Sequence, residues 1–228
     1  MFKPIVISTG DGSDTLFVEE ISEQYHSLHG AIAESEHVFI RNGYLQVAQK
    51  GRLNVLEIGF GTGLNCLLTA LEANKTACHT RYFSVEKFPL EPGIVSRLNY
   101  PHLTGAAGEA IFRTIHAAPW GEEVSVTPFF SLYKVRDDFT TSAFSEIPEC
   151  QVLYFDAFGP DKQPEMWTPE LFRKVAVKMS PGGVLTTYCA KGAVRRNLRD
   201  AGFLMERLPG PKGKREMLRG IKMTDSFL

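Results

Sequence analysis

The sequence predicts an α/β protein built on a doubly wound, mostly parallel sheet. Three observations carry that expectation: short apolar runs alternate with helix-type segments through residues 53–208, a glycine-rich turn follows the first run at once, and the three strongest runs end at acids, Glu57, Glu86 and Asp156. In such a sheet ligands lie outside the carboxyl ends of the strands, so the three acids are expected to converge on one crevice.

The elements follow in order. The first 50 residues read as an appended, β-rich N-terminal extension or cap, with LFVEE (16–20) and HVFIRNGYL (37–45) as strand candidates, and residues 51–228 form the sheet domain. NVLEI at 54–58 is a strand, the glycines after it a turn, and the leucines and alanines of 64–73 a helix. A connection at 75–80 leads to a strand at 82–85, no pattern places residues 89–120, and 152–155 is the next strong strand. A helix PELFRKVAVKM starts with Pro169 in its first turn and Thr168 as its cap, and the SPGG at 180–183 stops it. A buried strand at 184–189, a helix at 193–201 ended by Gly202, a strand at 203–208 and a short strand at 216–218 after the turn PGPKGK complete the chain. There is no internal repeat and no low-complexity tract.

Composition narrows the function classes. With 228 residues, 43% hydrophobic and 22% charged, the chain has ordinary globular values, and one domain with extensions is expected. The longest run without a charge, 58–71, falls short of the roughly 20 residues that span a bilayer, and the first residues lack a secretory h-region, so a cytoplasmic protein with no membrane partner is expected. Cys66, Cys78, Cys150 and Cys189 have no C-x-x-C spacing and read as buried thiols; His26 and His29 lack further ligands, so no metal is expected. Charge is uneven: from Lys191 onward ten Lys/Arg face four Asp/Glu, whereas residues 1–190 carry 15 against 22. A basic C-terminal part fits either a contact with a polyanion or a solvated helix face.

The segment from Glu57 to Gly63, with Phe60 and Thr62 between Gly59, Gly61 and Gly63, allows a sharp bend and close approach of a ligand. A dinucleotide fingerprint needs its third glycine at position 64, where this chain has leucine, and no Gly-Lys-Ser/Thr of a P-loop follows. Asp156 opens DAFGP. An aspartate that closes a strand is by itself read as a cap for the next turn, yet here it shares a crevice with the glycine turn. An amine with a lysine-like pKa costs about 4.6 kcal/mol to deprotonate at pH 7, and a carboxylate beside it lowers that barrier. Phe158 could stack on a flat base, and Gly159 with Pro160 would fix the loop that carries it.

The pattern E-x-G-x-G-x-G resembles motif I of the class I S-adenosylmethionine methyltransferases, a Rossmann-like family. More specifically, LEIGFGTGLN, YFSVEKFPL, LYFDAFGPDKQPEMWTPELF, SPGG, GAVRRNLRDAGF, GPKGKREMLRG and the N-terminal GAIAESEHVFIRNGYL resemble the tRNA (5-methylaminomethyl-2-thiouridine) methyltransferases, MnmC when fused and MnmD when standalone. The resemblance implies methyl transfer from S-adenosyl-L-methionine to the 5-aminomethyl group of a modified wobble uridine of tRNA. It implies methylation alone, since no FAD domain precedes Leu228, with separate enzymes supplying the aminomethyl-uridine. Carried over by position, Glu57, Gly59, Gly61, Gly63, Glu86 and Lys87 line the cofactor site, with Glu86 on the ribose diol, and Asp156 faces the amine. Lys134, Asp137 and Asp138 remain alternatives for the position near adenine. Arg195, Arg196, Lys212, Lys214 and Arg215 would meet phosphates, and Trp167 reads as core or, less simply, as a stacking platform. A small-molecule amine methyltransferase or aminopropyltransferase, and a binding module without turnover, share the same fold and turn.

Overall fold

Strand-forming runs with apolar side chains on both faces must be covered on both sides, and the molecule meets that demand with helices above and below one sheet. The computed structural model describes residues 3–48 and 51–224. The central sheet contains β4 (Arg52–Ile58), β5 (His79–Glu86), β6 (Glu123–Thr127), β7 (Phe130–Arg136), β8 (Cys150–Phe155), β9 (Met179–Thr187), β10 (Phe203–Pro209) and β11 (Glu216–Lys222), in the order β10-β11-β9-β8-β4-β5-β7-β6. Strands β9, β8, β4, β5 and β7 run parallel, while β6 and the β10–β11 hairpin join antiparallel at the two edges. The expected doubly wound, mostly parallel sheet is therefore observed.

Helices α2 (Leu64–Thr76) and α4 (Tyr100–Ala117) cover one face, where Val55, Tyr82, Val152 and Tyr154 pack. On the other face α5 (Pro169–Val177) and α6 (Gly192–Asp200) cover Leu56, Phe83, Leu153 and Phe155. Thr168 caps α5 as expected, its Oγ1 accepting from the Leu171 N–H at 3.3 Å. Residues 89–120, which carried no readable pattern, form α3 (Pro92–Val95) and α4, the latter kinked at Gly105.

The N-terminal extension contains a small antiparallel sheet of β1 (Ile5–Ser8), β2 (Asp14–Val18) and β3 (Glu23–Gln24). LFVEE falls partly on β2 and partly on a 3₁₀ turn at Glu19–Ile21. HVFIRNGYL is not a strand: α1 (Ala31–Ser35) runs into a π-helical turn at Glu36–Arg41, and Tyr44–Gln46 is 3₁₀. Consecutive Val38, Phe39 and Ile40 are all buried, which the widened turn permits and the alternation of a half-buried strand does not. The SPGG segment is a second correction, because α5 ends at Val177 and β9 already starts at Met179, its register against β8 shifting next to Cys150.

One row of side chains crosses the sheet on the α2 face. Paired positions run from Lys134 on β7 through Ser84 on β5, Glu57 on β4 and Tyr154 on β8 to Thr186 on β9. All five are buried, so a polar seam lies under the start of α2.

Candidate active site

A cleft opens at the carboxyl ends of β4, β5, β7 and β8. The glycine turn forms one wall. Gly59 has a φ of +93°, and a Cβ there would lie 2.9 Å from the Asp156 carbonyl oxygen, so the absent side chain is what lets the turn and the end of β8 meet. The Asp156 N–H also donates to the Ile58 carbonyl at 3.1 Å. A Cβ on Gly63 would lie 2.8 Å from His116 Nε2, which is itself 3.1 Å from the Thr62 carbonyl. The last turn of α4 thus buttresses the glycine turn from behind, and burial lowers the His116 pKa to about 4.

Glu86 stands at the end of β5, inside the cleft. Its Oε2 accepts from the Gly61 N–H at 3.0 Å and its Oε1 from the Phe88 N–H at 2.7 Å, so both oxygens are fixed in place with lone pairs to spare. Lys87, also on the wall, bonds Asp138 Oδ2 at 2.7 Å, and that contact above all holds the Asp138 carboxyl below its ordinary range. Asp137 lines the cleft beside it. Lys134 does not: buried under α4, its ammonium donates to the Ile115 carbonyl at 2.8 Å and lies over the rings of Trp120 and Phe60. The three-way alternative for the loop after β7 thus narrows to the two aspartates.

Asp156 lies on the cleft floor, with Oδ2 accepting from Asn65 Nδ2 at 2.8 Å. Burial lifts its pKa to about 7, against the opposing pull of the Asn65 amide and the Lys214 ammonium. Phe158 faces the same space, its N–H donating to Gln163 Oε1 at 3.0 Å, and Gly159 and Pro160 stand behind it on the loop rather than on the cleft wall. Trp167 is core: it is 4% exposed, and its Nε1–H donates to the Phe158 carbonyl at 2.8 Å.

Glu57 requires a correction. Although it is next to last on β4, strand alternation turns its side chain away from the cleft and into the seam beneath α2, where it is fully buried and accepts from Ser84 Oγ at 2.6 Å. Burial raises its pKa to about 8. Gly63 likewise faces His116 rather than the cleft.

The basic residues divide. Arg196, Lys212 and Arg215 are exposed, and Arg195 is half-buried on α6; none lines the cleft. Lys214, expected to meet phosphate, instead points inward: its ammonium is 2.6 Å from Glu34 Oε1 and 4.0 Å from the centre of the Tyr188 ring. A lysine so engaged is not free for a phosphate.

Tyr25, His26, Tyr188 and Asn65 are among the cleft residues that the sequence did not single out. Tyr25 packs edge-on against Phe158 with ring centroids 5.1 Å apart, and a Cβ on Gly61 would touch its ring at 3.1 Å. His26 also lines the cleft, buried and lowered to a pKa of about 4. Tyr188 donates from its hydroxyl to the Ala157 carbonyl at 2.9 Å. These three come from segments far from the glycine turn, and no short motif marks them. Asn65 was within reach, since a buried amide in the first turn of a helix that opens on a glycine turn points at whatever that turn holds.

These residues fit an adenosyl sulfonium group. The glycine turn lines the cleft, the fixed Glu86 carboxylate suits a vicinal diol, and Asp137 and Asp138 on the same cleft are acceptors of the kind that an exocyclic amine needs. Among the described residues no group of His, Cys, Asp and Glu side chains is arranged to hold a metal ion, and no helix is long and apolar enough to cross a membrane.

Comparison with known proteins gives the same picture. A family model for S-adenosyl-L-methionine-dependent methyltransferases matches residues 135–223. The tRNA 5-methylaminomethyl-2-thiouridine biosynthesis bifunctional protein MnmC of Pseudomonas savastanoi pv. phaseolicola is 32% identical over 221 residues, which cover 88% of this chain and 32% of that protein. Its namesake from Pseudoalteromonas atlantica is 34% identical over 225 residues, covering 91% and 32%. The chain thus spans about a third of the length of the curated relatives it matches. The crystal structure of MNMC2 from Aquifex aeolicus shares the fold, with a TM-score of 0.83 over 100% of this chain and 74% of that one at 22% identity.

Proposed function

The chain belongs to the MnmC methyltransferase-domain family of S-adenosyl-L-methionine-dependent methyltransferases, and on that premise we propose that it methylates the 5-aminomethyl amine of a modified wobble uridine in tRNA. The observation that carries this reading is the close approach of Gly59 to the Asp156 carbonyl, which brings the glycine turn and a carboxylate side by side in one cleft. Bound there, S-adenosyl-L-methionine supplies an electrophilic methyl group on a sulfonium sulfur. Glu86 would accept from the ribose hydroxyls. Asp137 would take the adenine amine, since Asp138 is already engaged by Lys87 and Thr140.

Asp156 handles the proton. A lysine-like ammonium has no lone pair, and moving its proton to an ordinary aspartate costs about 9 kcal/mol, the gap between pKa values near 10.4 and 3.9. With Asp156 at about 7 the cost falls to about 4.6 kcal/mol. Asn65 holds one carboxylate oxygen and leaves the other for the amine. Phe158 and Tyr25 form an aromatic wall against which a flipped-out base would lie, as single-stranded RNA bases commonly do when read. Arg195, Arg196, Lys212 and Arg215 would meet the phosphates outside the cleft.

The test is transfer of a labelled methyl group from S-adenosyl-L-methionine to tRNA carrying 5-aminomethyl-2-thiouridine and to the same tRNA lacking the aminomethyl group. Labelling of the first alone is expected. Equal labelling of both overturns the amine assignment, and transfer to free small amines but not to tRNA would place the chain among the small-molecule enzymes.

A further inference from the structure

The glycine turn is soft by composition. Thr62 lies between Gly61 and Gly63, both at positive φ, +48° and +74°, and peptide units flanked by glycine rotate at little cost. The fold clamps them one at a time. The Gly61 N–H is held by Glu86 in the cleft. The peptide unit joining Thr62 to Gly63 is held at both ends: its N–H donates to the Phe60 carbonyl at 2.8 Å, and its carbonyl is met by His116 Nε2 at 3.1 Å. Phe60 belongs to the turn itself, whereas His116 reaches in from α4, 54 positions further along the chain. Its ring packs against those of Phe60 and Phe112, with centroids 5.4 and 4.5 Å away. The end of α4 is fastened in turn. Buried Lys134 of β7 donates to the Ile115 carbonyl at 2.8 Å and to the His116 carbonyl at 3.4 Å, in the last turn of the helix, where carbonyls lack partners within the helix.

We propose that His116 is a positioning residue for the cofactor: as a neutral imidazole with its proton on Nε2, it donates to the Thr62 carbonyl and holds the turn in the shape that receives S-adenosyl-L-methionine. The proposal rests on reading the cleft as the cofactor site and not on the choice of amine. The place of the proton follows from chemistry. A carbonyl oxygen only accepts, so the nitrogen 3.1 Å from it must carry hydrogen, which leaves the neutral Nε2–H form or the imidazolium. Two phenyl rings flank the imidazole, and the charge that reaches it is the Lys134 ammonium on β7; both disfavour a second cation. The lowered pKa of His116, about 4, agrees. His116 bonds the turn without lining the cleft, so whatever it does for a ligand passes through the turn. Released from it, the peptide between Thr62 and Gly63 would take several orientations. Only a fraction of molecules would then present a ready site, and affinity falls by that fraction.

Two variants separate the hydrogen bond from the packing. His116→Phe keeps a ring and loses the donor, while His116→Gln loses the ring and keeps an amide N–H at a similar reach. Calorimetric titration of the full chain with S-adenosyl-L-methionine, without tRNA, should give a Kd raised about tenfold in His116→Phe and by less than about threefold in His116→Gln. A ring that only filled space would give the reverse order. In turnover, the KM for the cofactor should rise with the Kd, while kcat and the KM for tRNA stay within about twofold of wild type. Wild-type affinity in His116→Phe, equal weakening in both variants, or a loss mainly in kcat overturns the proposal. If neither variant folds, wild type decides. Proton–nitrogen correlation spectra of the chain with isotopically labelled histidine should show the ring in contact with Phe60 and Phe112 protonated on Nε2 and bare on Nδ1 from about pH 6 to about pH 8. The opposite tautomer, or an imidazolium in that range, refutes it. Failure of the cofactor reading looks different: wild type itself would then take up no S-adenosyl-L-methionine, whatever the tautomer, and the proposal would fall with it.

Discussion

Glu57 and Asp156 are both acids at or near strand ends, and the structure gives them opposite surroundings. The sequence made them look alike because both follow an apolar run, but alternation on β4 separates them: Ile58 borders the cleft, so Glu57 must face the other side. Each carries a pH prediction. Burial holds the Asp156 carboxyl at about 7, so in its proposed role as base the rate of methyl transfer should be full above that value and fall as pH drops through it; a kcat profile flat from about pH 5.5 to 7.5 would contradict this. Glu57 bears on stability with its own sign. Its folded pKa, about 8, exceeds the ordinary 4.5, so its contribution is complete below the ordinary value and is lost as pH rises through 8. Between those values wild type should lose up to about 1.4 kcal/mol per pH unit more than Glu57→Gln, checked by urea unfolding at several pH values. Asn65 was legible as a residue of a matched segment but not as a partner, because its partner lies 91 positions away.

Among the elements, the glycine turn is the part the sequence described best, though for a partial reason. A sharp bend and the approach of a ligand are only part of what the glycines permit, because neighbours of the chain itself need them: the Asp156 carbonyl at Gly59, the Tyr25 ring at Gly61 and His116 at Gly63. Gly59→Ala should therefore destabilise by about 1–3 kcal/mol, from a strained φ and a forced shift of the β8 end, and should weaken cofactor binding as well. Calorimetric unfolding and a cofactor titration check the two effects, and a variant with unchanged melting temperature would show that the turn tolerates a Cβ. The N-terminal helix was misread because three contiguous apolar residues have no period, and the edge strand β6 and its neighbour β7 went unassigned because they bury less than the central strands. The β10–β11 hairpin was legible, but the inward turn of Lys214 was not, since its partner Glu34 belongs to the extension. Lys214→Ala should cost about 1–3 kcal/mol of stability through the pair it leaves, whereas Lys212→Ala should leave the melting temperature unchanged.

At the scale of the whole molecule, charge is sorted by place: carboxylates gather in the cleft while Arg196, Lys212 and Arg215 stand outside it. The amine and the phosphates of one nucleic acid would thus meet opposite fields. The logarithm of tRNA affinity should fall linearly with the logarithm of salt, and each of Arg196→Ala, Lys212→Ala and Arg215→Ala should reduce that slope by about 0.7 to 1 while Lys214→Ala leaves it alone; a salt-independent affinity would remove this face from docking. Fold class was legible because alternation is a property of neighbours along the chain, whereas the closure of the cleft depends on contacts that no local pattern records. Glu34 and Lys214 are 180 residues apart, and the His37 ring and the Pro209 carbonyl, 2.8 Å apart, lie nearly as far along the chain. During synthesis the turn and the acid therefore leave the ribosome long before the hairpin that clasps the extension. A nascent chain cut short near residue 200 would carry every residue that lines the cleft and still lack the hairpin that clasps the extension bearing Tyr25 and His26.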